Sequence, residues 1–393
     1  MRRSAPAIGL VLLLAAPASA GQPEGPHSLF ERRARNVVFL VPDGMGLADV
    51  TAARIHRGGP GGPPLALETL DFVGYQRTWS ADSTVTDSAA AASAWASGEK
   101  FENGTVCRRP DGSFPRSLLE IARDGGRRTG LVATATITHA TPGAFGAHVA
   151  DRSCETEIAR QYVETTGVDV LLGGGLGTFR SPWPDPCGTM GDYVARAETL
   201  GYRTAFDRGE LGDAVAGGAR RVLGLFASGA MSPAEAWTPS SPEPSLPQMA
   251  AAALDLLEGN PGGFFLLIEG SQVDWANHAN DADAQLAEVL AFDDAVRVVL
   301  EWIAAGPARE RETLVVVAPD HETGGFAIAG PYGRLPAPGE PLGGWEVPGS
   351  EVRGHFAGHY LTAAALVVRS TGDEALRAMA ARVVEGMAEC QAA

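Results

Sequence analysis

The chain is predicted to fold as an α/β protein, a three-layer sandwich with a central, mostly parallel β-sheet flanked by helices. Two observations predict it. Short apolar runs alternate along the chain with alanine-rich stretches at helical spacing. Four of those runs are continuous enough to be strands buried on both faces, and each ends at a polar residue suited to chemistry.

Taken in order, Met1-Arg2-Arg3, the apolar residues 7–16 and Pro17-Ala18-Ser19-Ala20 give a basic head, a greasy middle and a small-residue cleavage site. Residues 1–20 are therefore expected to be a signal peptide cut after Ala20, giving a periplasmic or secreted protein. The run is shorter than the ~20 residues that span a bilayer, and no later stretch reaches that length, so no membrane partner is expected. Residues 21–393 are read as a single domain.

Its first strand, 36–41, runs into Asp43. Helical spacing follows at 88–97 and 117–123. A strand at 130–137 precedes His139, and one at 264–268 precedes Glu269. A long helix at 282–304 leads to a strand at 313–317 before Asp320. Glycine and proline mark surface loops at 58–64 and 239–247. Open parallel sheets bind ligands beyond the carboxyl ends of their strands, so Asp43, His139, Glu269 and Asp320 are expected to converge.

A formal net charge of −16 argues against nucleic acid or anionic lipid as a partner, because a non-specific grip on phosphate backbones needs clustered Lys and Arg. A small phosphate ligand would need local cations, which bound metals can supply. The four cysteines, Cys107, Cys154, Cys187 and Cys390, permit two disulfides in an exported chain, and Cys154–Cys187 closes the shorter loop. None has C-x-x-C zinc spacing.

Five short patterns could carry chemistry. Asp274 and His278 are four apart, so one helical turn puts both on one face, as a metal clamp requires; the plain alternative is a capped helix start. Asp320-His321 sits at a strand exit and can point into one site, or His321 can bond within a loop. Asp43-Gly44 is a turn signal behind a strand. Ser88 precedes four alanines, where it either caps the helix or faces an incoming phosphate beside the free amides. His355 and His359 lie late in the chain. Of eight histidines, five (His139, His278, His321, His355, His359) fall in or beside these segments, a skew that favours a metal centre.

In their joint order, these segments resemble the alkaline phosphatase family from Asn36 to about Arg369. The resemblance implies hydrolysis of phosphate monoesters at alkaline pH through a phosphoserine intermediate on Ser88, at a centre of two Zn²⁺ and one Mg²⁺. It assigns one zinc to Asp274, His278 and a late histidine; spacing to a short strand at 363–368 favours His359 over His355. The other zinc falls to Asp43, Asp320 and His321, and magnesium to Asp43, Thr141 and Glu269. Residues 139–152 match the family stretch ending in a phosphate-clamping arginine, so Arg152 is the expected bidentate contact, with His139 and Trp275 beside the substrate.

Two residues depart from the best-known bacterial pattern: His139 replaces an aspartate and Trp275 a lysine. Imidazole tilts the third site toward a softer ion than magnesium. The resemblance also implies a homodimer, and residues 182–245, without a match, are expected to be a variable insertion. A diester, phosphonate or sulfate ester hydrolase on the same scaffold is the rival enzyme, and a phosphate- or metal-capture protein the rival without turnover.

Overall fold

A computed structural model gives the fold and describes residues 34–328, together with Arg377 and Ala381. The expected signal peptide, His355, His359, Cys390 and the expected strand at 363–368 lie outside the described residues.

The strands are β1 (Asn36–Pro42), β2 (Arg128–Thr136), β3 (Val170–Gly174), β4 (Arg180–Ser181), β5 (Gly191–Asp192), β6 (Arg203–Ala205), β7 (Val222–Leu225), β8 (Phe264–Gly270) and β9 (Thr313–Val317). Seven of them form one sheet in the order β6-β7-β3-β2-β8-β1-β9, while β4 and β5 make a small antiparallel ribbon. Expected to be mostly parallel, the sheet is wholly parallel among the described residues.

Alternation along the strands builds two cores. Phe39, Val41, Leu131, Ala133, Phe265 and Leu267 face one side, and Val38, Leu40, Val132, Leu266 and Ile268 face the other. The first face packs against helices Ser88–Ser97, Leu118–Asp124, Ala140–Gly146 and Glu155–Gln161, and the second against Leu246–Leu257 and Ala282–Ala304. Small residues let helices Ser88–Ser97 and Ala140–Gly146 pack closely together.

Residues 182–245 contribute β5, β6, β7 and helices Tyr193–Thr199 and Arg208–Ala216, extending the sheet at one edge. The loop expected at 239–247 ends sooner, because a helix begins at Leu246 with Pro247 in its first turn, where a missing N–H leaves no bond unmade. Cys154 and Cys187 are disulfide-bonded with Cα atoms 5.4 Å apart. Cys107 is a buried free thiol, pushed up to about 12 by burial, so one disulfide rather than two forms among the described residues.

Candidate active site and metal pocket

β1 lies between β8 and β9, with Val41 opposite Glu269 in the register. That pairing delivers Asp43, Glu269 and Asp320 to one end of the sheet, and β2 brings His139 to the same end. All three carboxylates are at most 1% exposed. Asp43 follows β1 in a turn where Gly44 takes φ +70 and its amide donates to Asp320 Oδ1 at 3.0 Å. A Cβ at Gly44 would stand 2.6 Å from Asp274 Oδ1, so both the backbone conformation and the space require glycine.

Ser88 is the first residue of its helix, and Asp87 is the cap, with Oδ1 accepting from the Ala90 amide at 2.9 Å. Capping by Ser88, the plain expectation, is thus replaced, and its hydroxyl turns to the pocket. Ser88 Oγ lies 3.5 Å from Asp43 Oδ1 and 3.3 Å from His321 Nε2. The other oxygen of Asp87 accepts from Arg152 at 3.1 Å and from the Gly104 amide at 2.9 Å. Arg152 also donates to His139 Nε2 at 3.1 Å, which assigns the proton of the neutral ring to Nδ1. Burial and the Arg152 charge push His139 down to about 3, so the ring is neutral at working pH. Trp275 stands edge-on to His139 at 5.8 Å and is 37% exposed.

Two groups of potential ligand atoms form, Asp43 with Asp320 and His321, and Asp43 with His139 and Glu269, each within 4.8 Å. Their donor atoms are conspicuously unsatisfied: Asp43 Oδ2, Asp320 Oδ2, Glu269 Oε1, Thr141 Oγ1 and His139 Nδ1 are buried without hydrogen-bond partners. Burial, reinforced by Asp320, Glu269 and Asp274, raises Asp43 well above the usual carboxylate range; burial raises Glu269 to about 7. Buried carboxylates this close must either hold protons or share a cation, and the cluster of unpartnered ligand atoms facing one pocket fits a cation. Oxygen donors at Asp43, Thr141 and Glu269 suit a hard ion, and the His321 nitrogen suits zinc.

Asp274 and His278 share a helix, Gln272–Ala279, with His278 Nε2 at 3.5 Å from Asp274 Oδ1. Their late partner, His359 or His355, lies outside the described residues. Asp87, Ser271 and Thr323 hydrogen-bond to candidate residues although no motif marks them. Ser271, the residue just past the end of β8 and the N-cap of the next helix, donates its Oγ hydrogen to Glu269 Oε2 at 2.7 Å. Thr323 donates to Asp274 Oδ1 at 2.6 Å, a contact that only the folded chain creates.

Fold and site define a class: α/β sandwich enzymes that set a serine against a carboxylate-and-imidazole pocket at the carboxyl ends of a parallel sheet. A family model described as alkaline phosphatase matches residues 34–340, and the chain belongs to the alkaline phosphatase family, which are phosphoric monoester hydrolases. A model of the beta-L-arabinofuranosidase GH127 catalytic domain also matches 302–393, less than half of the chain.

Among relatives, the streptomycin-6-phosphate phosphatase of Streptomyces griseus is 39% identical over 79% of this chain and 78% of its own length. Alkaline phosphatase 4 of Bacillus subtilis is 36% identical over 75% of this chain, which spans 62% of that protein. Among solved structures, the alkaline phosphatase of the Antarctic bacterium TAB5 superposes with a TM-score of 0.66 at 31% identity, covering 76% of this chain and 82% of that one. A histidine-to-aspartate mutant of the TAB5 enzyme is described with Mg bound in its M3 site; it is 30% identical, with a TM-score of 0.66, covering 76% and 81%. No helix among the described residues is long and apolar enough to cross a membrane.

Proposed function

We propose that this chain hydrolyses phosphate monoesters at alkaline pH in two displacements through a phosphoserine at Ser88. The observation that carries the reading is the placement of Ser88 Oγ between Asp43 Oδ1 and His321 Nε2 at the start of a helix, with Arg152 alongside. Ser88 loses its proton and attacks phosphorus in line, the ester oxygen leaves as the alcohol after taking a proton, and water then displaces the serine to release phosphate. Arg152 has donors beyond those spent on Asp87 and His139, and these suit two phosphate oxygens. The helix amides near Ser88 add positive potential where charge builds.

Two Zn²⁺ and one Mg²⁺ are the proposed cofactors, held by Asp43, Asp320 and His321, by Asp274, His278 and His359, and by Asp43, Thr141 and Glu269. When bound, they would lower the pKa of the serine and the water and neutralise the developing charge. His139 lies beside Asp43 and Glu269, and it would ligate a softer ion in the third position only by moving its ring proton from Nδ1 and giving up the Arg152 contact at Nε2. Trp275 forms one wall beside the phosphate.

The chain is read as one catalytic domain with 182–245 as an insertion, exported after loss of residues 1–20 and acting as a homodimer. The Cys154–Cys187 disulfide supports an oxidising compartment. The test is hydrolysis of an aryl phosphate by the mature protein before and after chelation, with bis-esters and streptomycin 6-phosphate, the compound in the name of the Streptomyces griseus relative, in the same panel. Chelator-sensitive turnover restored by zinc supports the reading, and Ser88→Ala should lower turnover by about 10³-fold or more while zinc still binds. Preference for bis-esters, or phosphate capture without turnover, would replace it.

A further inference from the structure

We propose that Thr323 is a positioning residue whose single hydroxyl joins the two zinc-ligand groups and fixes which nitrogen of His321 faces Ser88. The inference rests on the proposed metal centre. Thr323 is buried, and its Oγ1 lies 2.6 Å from Asp274 Oδ1 and 3.1 Å from His321 Nδ1.

A hydroxyl has one proton to give, and an ionised carboxylate can only accept. The short contact to Asp274 therefore takes the Thr323 proton, and Oγ1 is left to accept from His321. That places a hydrogen on Nδ1 and leaves the Nε2 lone pair pointing into the pocket, 3.3 Å from Ser88 Oγ and 3.3 Å from Asp320 Oδ2. The competing arrangement is plain. Asp320 Oδ2, and Asp43 Oδ1 at 3.8 Å, would both welcome a hydrogen on Nε2, and in that tautomer no lone pair remains for a cation. Thr323 opposes it by giving Nδ1–H a buried acceptor.

The threonine is itself held. Its amide donates to the Gly44 carbonyl at 3.0 Å, so it is anchored to the turn that carries Asp43. Gly324, next in the chain, sits so close to the Asn277 carbonyl that a Cβ would come within 2.5 Å of it, which presses the loop against the helix bearing Asp274 and His278. Asp274 belongs to one proposed zinc group and His321 to the other, so one hydroxyl aligns both.

Competition between the full-length mature chain and a colorimetric chelator for zinc tests this, with Thr323→Val removing the hydroxyl at nearly constant shape and Thr323→Ser keeping it. Thr323→Val should bind zinc about 10-fold more weakly in both groups, and Thr323→Ser should stay close to wild type. Proton NMR of the zinc-loaded chain supplies a reading that bulk packing would not move. The His321 Nδ1–H should be protected from exchange in wild type and Thr323→Ser, and exchange rapidly in Thr323→Val. Wild-type zinc affinity together with a protected Nδ1–H in Thr323→Val overturns the inference. A wild-type chain that binds no zinc overturns it along with the metal centre, and is told apart because it appears before any substitution.

Discussion

Asp87 caps the helix of Ser88 with one carboxylate oxygen and holds Arg152 with the other, so substitutions can separate the two duties. Asparagine caps as well as aspartate but carries no charge. Asp87→Asn is expected to leave the melting temperature nearly unchanged while weakening inhibition by inorganic phosphate, because Arg152 loses its charged anchor. Asp87→Ala should lose the cap as well and cost about 1 kcal/mol of stability, measurable by urea unfolding. Gly44 permits no such separation. Its φ of +70 and its approach to Asp274 make Gly44→Ala destabilising by about 2 kcal/mol or more, with zinc affinity falling alongside.

Among the elements, β8 is buried along its whole length, with side chains entering both cores. Leu267→Ala should cost about 2–5 kcal/mol, read from the urea midpoint at unchanged slope. Helix Ala282–Ala304 carries Glu288, whose Oε1 accepts from the Ala234 amide at 2.7 Å and whose burial raises it to about 7. An acid raised in the folded state holds its proton there when the unfolded chain has released it, so wild-type stability falls as pH rises from about 4.5 to 7. Glu288→Gln cannot ionise. It should therefore be more stable than wild type by about 2 kcal/mol at pH 8, with the difference vanishing below pH 4.5.

The elements most legible in the sequence were those with a continuous apolar run of strand length: β1, β8 and β9 begin where the pattern does and end within two residues of it. The short strands β3, β6 and β7 were not legible, because glycine ends one run and no chemistry-bearing residue flags the others. In the site, Asp43, Glu269, Asp320 and His321 were readable from strand exits. Spacing alone could not show that Asp87 rather than Ser88 caps the helix, since both residue types cap well and only packing decides. Thr323 was hidden for a different reason: its partners reach it through tertiary folding.

For the whole molecule, the Cys154–Cys187 bond closes a loop with a sequence separation of 33, which in the chain-entropy description stabilises the fold by about 3–4 kcal/mol. Reduction should lower the melting temperature by several degrees, while Cys107, buried and far above the range where thiols ionise, stays unlabelled by thiol reagents until unfolding. Cation binding acts at the same scale. Zinc at about 1,000 times its dissociation constant should add roughly 4 kcal/mol, so the melting temperature should climb with zinc concentration and drop on chelation.

The position of β1 between β8 and β9 has a consequence in time. The strand made earliest among the described residues finds both of its neighbours near the far end of those same residues. During synthesis it must wait, unpaired, while most of the polypeptide is still being delivered. Asp43 consequently meets Glu269 and Asp320 only near the close of assembly, and a cation can be captured only by a nearly finished molecule. Metal loading should then depend on the ions available where folding ends, not where translation begins.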